Sequence, residues 1–264
     1  MGICFSQKKK EEGKLNEKIS NGKITKVYNF NNMNLDSLKI DEKNFCEKIN
    51  VFSASNNNLF SLENSIFSKE KIKQIIKIDF SFNKFSTIPN EIFNFSDSLK
   101  ILNFSNNKIT NISNNIQNLK NLKELFLNNN KIKNLPSEFF NLKILNNLDL
   151  SNNEIQTFNE DFIFINNLTF LNLSKNKIET LPEKNWDKSN LIHLNFIFNL
   201  IKNIPNEILE NSKITVLNLK GNFITKSNLR DLKGFEIFCE RRKRLKDQGF
   251  KYDLDMTFSF CGLD

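Results

Sequence analysis

A periodicity of 23 to 26 residues runs through most of this chain, and it restricts the fold more than any other feature of the sequence. The segment LKELFLNNNKIKNLP, from Leu122 to Pro136, places apolar residues at Leu122, Leu125, Leu127 and Ile132 and an asparagine at Asn130. Its spacing is L-x-x-L-x-L-x-x-N-x-L. Leu125 and Leu127 alternate inward on a short strand, while Leu122 and Ile132 turn inward on either side, so all four need neighbouring copies to cover them. Asn130 stands where the chain leaves the strand and backbone groups lack ladder partners. An amide side chain both donates and accepts, so a column of asparagines satisfies such groups from turn to turn.

Nine units can be phased, beginning at Thr25, Ile49, Ile75, Leu99, Leu122, Leu145, Leu168, Leu191 and Ile214. The asparagine position holds Asn57, Asn83, Asn107, Asn130, Asn153, Asn176, Asn199 and Asn222, and fails in the first unit, where Met33 replaces it. A terminal repeat has no preceding turn to bridge, so unusual chemistry is expected there. Pro89, Pro136, Pro182 and Pro205 recur at equivalent points and mark the turn from the strand into a helical or 3-10 segment, because proline cannot donate to a ladder. This is the leucine-rich-repeat signature. It predicts an α/β solenoid, with a curved parallel β-sheet on the concave side and helical or 3-10 segments on the convex side.

The expected organisation is a flexible tether and N-terminal cap over residues 1–24, nine repeats over 25–225, and a C-terminal helical cap and tail over 226–264. Ser227 is placed to cap a helix running to about Gln248, with Leu229, Leu232, Phe235 and Phe238 covering the last repeat and Gly249 ending it. The basic run Arg241 to Lys246 falls in its last turns, where it either complements the helix dipole or meets a lipid or partner. The aromatic tail over 250–264 is expected to pack back on the convex side.

Asparagine, lysine, isoleucine and phenylalanine are abundant, as in some disordered tracts, but apolar residues that keep phase over nine units argue for a packed core. Cys4, Cys46, Cys239 and Cys261 are far apart and include no CxxC pair, so they read as reduced thiols of a cytosolic protein. Neither a long apolar run nor a secretory signal is present, which points to a cytoplasmic protein, peripheral on the cytosolic side of a membrane. Of the net charge of +8, residues 1–26 hold an excess of +4 and Arg241 to Lys246 form a second cluster, leaving the solenoid close to neutral.

The membrane expectation comes from the start, MGICFSQKKK. Gly2 and Ser6 fit the N-myristoylation pattern M-G-x-x-x-[ST]. One myristoyl chain holds a protein only marginally, so Cys4 as a palmitoylation site and Lys8, Lys9 and Lys10, at about 1 kcal/mol each against anionic lipid, supply the rest. Cys261 lies where a prenylated cysteine would, but Gly262 and Asp264 do not suit that motif.

No catalytic residues are expected. His193, the single histidine, points from its strand with no acid or thiol beside it in the motif, and no phosphate-binding, zinc-protease or nucleophile-elbow motif occurs. Glu160 and Asp161 read as a solvated convex face. Neither a metal nor a cofactor, nucleic acid or small-molecule substrate is implied, and the chain reads as a monomer. Recognition then falls to the outward strand positions. Most are Asn, Ser, Asp or Lys, but Ile101, Phe126, Phe170, Ile197 and Phe198 should face the concave side, with Glu124 and His193 in the same columns. Phe170, His193, Ile197 and Phe198 are expected to form one patch, with Phe126 two repeats away. The reading is a non-enzymatic adaptor that binds a protein on its concave face while its acylated N-terminus meets an anionic membrane. Alternatives are a regulatory subunit in a phosphatase or small-GTPase pathway, or a structural component of cytoskeleton or cilia.

The Met-Gly start, the 23-residue repeats and the string Leu229-Arg230-Asp231-Leu232-Lys233-Gly234-Phe235, followed by Phe238, Glu240 and Arg241, together resemble the group of leucine-rich repeat-containing protein 57. The resemblance implies a small intracellular repeat protein with a myristoylated glycine, for which Gly2 is the matching residue, and it implies no reaction. Cys4, the lysine-rich start and the tail beyond Gly249 depart from that group.

Overall fold

From the second unit on, the repeat leaves only three residues of regular strand, because the chain must turn as soon as the central apolar residue has been buried. The computed structural model describes residues 14–20, 23–38, 49–62, 67 and 74–247. After β1 (Lys14–Ser20) and β2 (Lys23–Asn29) come β3 (Val51–Ser53), β4 (Lys77–Asp79), β5 (Ile101–Asn103), β6 (Glu124–Phe126), β7 (Asn147–Asp149), β8 (Phe170–Asn172), β9 (His193–Asn195) and β10 (Val216–Asn218). They form one sheet in chain order. Strands β2 to β10 are parallel and pair in strict register, Leu125 on Leu148 and Leu148 on Leu171, for example. β1 pairs antiparallel with β2 and supplies the first edge of the sheet.

The chain returns on the other side through 3-10 segments at Asn90–Phe95, Asn114–Asn118, Ser137–Asn141, Glu160–Phe164 and Trp186–Lys188, and through helix α1 (Asn206–Glu210). Pro89, Pro136 and Pro205 each stand immediately before such a segment, with its first residues following directly. Pro182 differs. Its segment begins four residues later, after Asn185 at φ 74°. There the Pro182 carbonyl accepts from Trp186 Nε1 at 2.7 Å, so the largest buried side chain enters the core with its one polar atom satisfied. The result is the unclosed parallel solenoid that the periodicity predicts.

One continuous core fills the space between strands and return segments. Its N-terminal half is aromatic: Phe30, Phe52, Phe80 and Phe104 follow one another at centroid separations of 5.5, 5.7 and 5.4 Å. After β6, β7 and β8 leucines take over, with Leu127, Leu150 and Leu173 fully buried at the position of Phe80 and Phe104, before Phe196 returns that position to phenylalanine after β9. A buried leucine contributes about 1.5–3 kcal/mol only when its neighbours cover it, which is why the units stand together or not at all.

The asparagine column runs inside the turn. Asn153 shows the rule: Nδ2 donates to Leu127 O of the preceding turn and to Leu150 O of its own, both at 3.0 Å, and Oδ1 accepts from Ile132 N at 3.0 Å. Asn57 does the same toward the first unit, accepting from Met33 N and Leu35 N and donating to Phe30 O. Each rung therefore reaches back by one repeat, and Met33 is tolerated because its own turn has no repeat behind it.

The residue before each rung is left-handed. Asn32, Asn56, Phe82, Asn106, Asn129, Asn152, Lys175, Phe198 and Gly221 have φ between 52° and 73°. Asparagine and glycine accept this conformation readily, whereas a bulky side chain does not.

The C-terminal end holds two helices rather than the single one expected from Ser227. α2 (Lys226–Arg230) is capped by Thr225, whose side chain accepts from Asn228 N in a capping box, and α3 spans Phe235–Asp247. Gly234, at φ 89°, separates them, and a Cβ there would lie 2.8 Å from the Glu210 backbone nitrogen. Leu229 and Phe238 are buried, with Leu232 and Phe235 packed against them, as the apolar spacing predicts. Arg241 is turned inward: Nη1 donates to Ile214 O, at the start of the last repeat, at 2.8 Å and Nη2 to Leu209 O, in α1, at 2.7 Å, satisfying carbonyls at the end of the stack. The run Arg241 to Lys246 therefore contains one structural clamp. Arg242 lies 5.7 Å from the Phe238 ring centroid, and Arg244 reaches Glu240 at 3.8 Å.

Candidate protein-binding face

Each short strand buries its central residue and leaves the two flanking side chains half-exposed on the concave face. Register turns those flanking positions into columns. The first contains Ile101, Glu124, Asn147, Phe170, His193 and Val216 in consecutive strands. Four of the expected site residues, Ile101, Glu124, Phe170 and His193, thus share one column. Phe170 and His193 are in direct contact, with ring centroids 5.8 Å apart and planes inclined at 33°. Burial lowers the His193 pKa below its ordinary value, so the imidazole is neutral near pH 7.

The other expected residues are dispersed. Phe126 belongs to the second column, between Asn103 and Asp149. Ile197 lies two residues beyond β9, its amide donating to Asn195 Oδ1, and Phe198 stands at the left-handed turn that follows, half exposed. Phe126 therefore does not extend the Phe170–His193 pair, and Phe198 sits on the edge of the solenoid rather than on its floor.

The second column is structural. The side-chain oxygens of Asp79, Asn103, Asp149, Asn172 and Asn195 each accept the amide two residues ahead at 2.9–3.1 Å, forming the turn out of the strand. Their polar character, which reads as ordinary surface in the sequence, is local backbone chemistry. Phe126 departs from that column.

Sequence reasoning missed a groove at the entry end of the strands. It encloses about 530 Å³ and is lined by Asn146, Asn167, Thr169, Asn190, Ile192 and Thr215 together with Asn166 and Lys213. Asn146, Thr169, Ile192 and Thr215 immediately precede the first-column residues of β7 to β10, so the groove adjoins the Phe170–His193 pair. Asn146 Nδ2 donates to Thr169 Oγ1 at 3.0 Å, and Lys213 Nζ donates to Asn190 Oδ1 at 2.6 Å. Thr215 Oγ1 and Asn147 Oδ1 are buried oxygens without a partner. An aromatic platform beside an amide-lined groove can hold an apolar side chain and the polar backbone that carries it. Among the described residues no group of three or more His, Cys, Asp and Glu could hold a metal.

The sequence matches the Leucine rich repeat family model over residues 73–132 and again over 120–178. Over residues 73–178 the repeats are similar to leucine-rich repeats. Solved leucine-rich-repeat structures share the fold. A leucine-rich-repeat protein of Leptospira interrogans superposes with TM-score 0.63 at 24% identity, over 76% of this chain and 56% of the other. An internalin of Listeria monocytogenes gives 0.59 at 21% identity, over 71% and 53%. The ectodomain of the plant membrane receptor kinase GASSHO1/SCHENGEN3 from Arabidopsis thaliana, in complex with Casparian Strip Integrity Factor 2, gives 0.57 at 23% identity, over 70% and 26%. This chain spans about half the length of the first two structures and about a quarter of the third. No curated protein matches the sequence. Gly2, Cys4, Lys8, Lys9 and Lys10, the expected acylation and membrane residues, lie outside the described residues, as does the 250–264 tail. Among the described residues no helix is long and apolar enough to cross a membrane.

Proposed function

We propose that this protein is a non-enzymatic adaptor whose concave leucine-rich-repeat face binds a protein segment at the Phe170–His193 pair. Leucine-rich repeats are protein-interaction modules, which supports the general class. The observation that carries the specific reading is the contact itself, two rings of adjacent strands at the border of a groove lined by amides. The plant receptor ectodomain of the same fold is complexed with a protein ligand, in line with this use of the repeats.

Membrane attachment belongs to the same reading. Gly2 within M-G-x-x-x-[ST], with Cys4 and three lysines close by, supports acylation that keeps the solenoid at an anionic surface. The Leu229 to Phe235 string, which builds the helical cap, supports kinship with the small myristoylated repeat proteins it resembles.

Pull-down with the intact protein and a Phe170→Asp variant tests the face. The partner should be recovered with the first and lost with the second; equal recovery overturns the assignment. Membrane fractionation of Gly2→Ala tests the anchor, which is wrong if the variant distributes as the natural protein does.

A further inference from the structure

The stacked repeats place one outward residue per turn immediately after the asparagine rung, and these residues form a row along the flank where the strands end. The row is defined by hydrogen bonds: the amides of Lys84, Lys108, Lys131, Glu154, Lys177 and Leu200 each donate to a carbonyl of the preceding turn at 2.7–2.9 Å. Lys84, Lys108 and Lys131 occupy three successive turns, all exposed, and have no ion pair among the described residues. Glu154, the acidic member of the row, is engaged by Lys177 at 3.8 Å.

At the C-terminal end the row changes character. Leu200 and Phe223 take the lysine position, and Phe198 takes the left-handed position beside it, with Phe198 51% and Phe223 64% exposed. The Phe198 ring lies over Gly221, where a Cβ would come within 2.3 Å of its Cδ1. At the N-terminal end Phe60 and Phe82 project in the same region of the turn, 63% and 56% exposed. Phe82 and Phe198 are phenylalanines with φ of 54° and 56°, in a column otherwise filled mainly by asparagine. A phenyl group held outward at an unfavourable backbone angle adds nothing to the core.

We infer that this flank is a lipid-docking surface, in which exposed phenylalanines at both ends enter the interface of an anionic bilayer and the lysine row between them pairs with its headgroups. Exposed phenylalanines flanking lysines that have no ion pair among the described residues complement the apolar interface and the anionic headgroups of a bilayer. The groove described above lies at the opposite end of the strands. Lysine with phenylalanine and leucine is the composition that binds membrane interfaces. The inference deepens the membrane-bound adaptor reading: with this flank down, the concave face stays open beside the membrane.

The test uses the full chain carrying Gly2→Ala, so that no acyl chain contributes. Co-sedimentation is measured with phosphatidylserine–phosphatidylcholine vesicles and with phosphatidylcholine vesicles, leaving Lys8, Lys9 and Lys10 intact. The protein should bind the anionic vesicles. Lys84→Gln, Lys108→Gln, Lys131→Gln together should weaken this by about tenfold or more. Phe198→Ser with Phe223→Ser should remove the part that persists at high salt. All the changes are at exposed side chains, and unchanged thermal melting confirms folding. Binding that is absent, or equal in all variants, overturns the inference. So does capture of a soluble peptide rich in Glu and Phe by a protein that ignores the vesicles. The acylation reading is judged separately by fractionation of Gly2→Ala, so either can fail alone.

Discussion

In each repeat two neighbouring residues have opposite surroundings: the asparagine rung points into the stack, and the residue after it points to solvent. From Asn57 to Asn222 the rung never changes, whereas the adjacent row passes from Asn58 through Lys84, Lys108 and Lys131 to Leu200 and Phe223. Inside, backbone groups at fixed positions demand a side chain that donates and accepts at once, and asparagine meets that demand at each turn. Outside, no such demand exists. A departure from polarity there, or in the Phe170–His193 pair on the concave face, is therefore free to report on binding.

The contrast can be attacked from its inner side first. Asn153→Ala leaves Ile132 N and Leu127 O buried without that partner and should cost about 3 kcal/mol, read as a lower urea midpoint with unchanged slope. A negligible loss would show that the rung is replaceable. Arg241→Ala, which frees the carbonyls of Ile214 and Leu209, should cost about 2 kcal/mol, and Arg241→Lys should recover little of it because one ammonium does not reproduce the guanidinium fork.

Substitutions on the outer side should behave differently. Phe198→Asn places a residue suited to φ 56° and should leave stability equal or raise it by up to about 1 kcal/mol, while weakening vesicle binding. Opposed effects of this kind separate a binding residue from a structural one. A smaller effect depends on pH. The His193 pKa is lowered by burial, so the folded state takes up a proton less readily than the unfolded chain. The contribution of His193 is complete above the unfolded value, about 6.5, and is lost as pH falls below it toward the folded value. Denaturant midpoints of the natural protein should decline over that window relative to His193→Gln. Lys108→Gln, at the bottom of the scale, should change stability by less than about 0.5 kcal/mol.

Much of the fold was legible because its interior is repetitive. The buried leucines, the rungs and three of the four prolines occupy the places that their spacing predicts. The left-handed column was hidden inside doublets such as Asn106-Asn107 and Asn129-Asn130, where the first asparagine serves the backbone angle and the second serves the ladder. Read in that way, Phe82 and Phe198 would have stood out as replacements of the first asparagine. Arg241 was not legible at all. A basic residue in a basic helix looks solvated until the end of the stack is seen to offer it two carbonyls.

The candidate site was legible by column and not by contact. His193 beside Phe170 follows from register alone, since parallel strands stack equivalent positions. Phe126 and Phe198 also leave the strand region outward, but they sit in other columns. The groove beside the pair is formed by loop residues of four repeats, and no single motif contains it.

What the sequence determined by itself is therefore the stack: unit length, buried positions and rungs, because each is a local demand repeated in every turn and can be read from one period. The tertiary structure decided where the stack ends and which free residues meet. Closing the last repeat with Gly234 and Arg241, setting Phe170 on His193 and aligning the flank all depend on distances between residues in different repeats or in the cap. Those distances exist only after the repeats have packed.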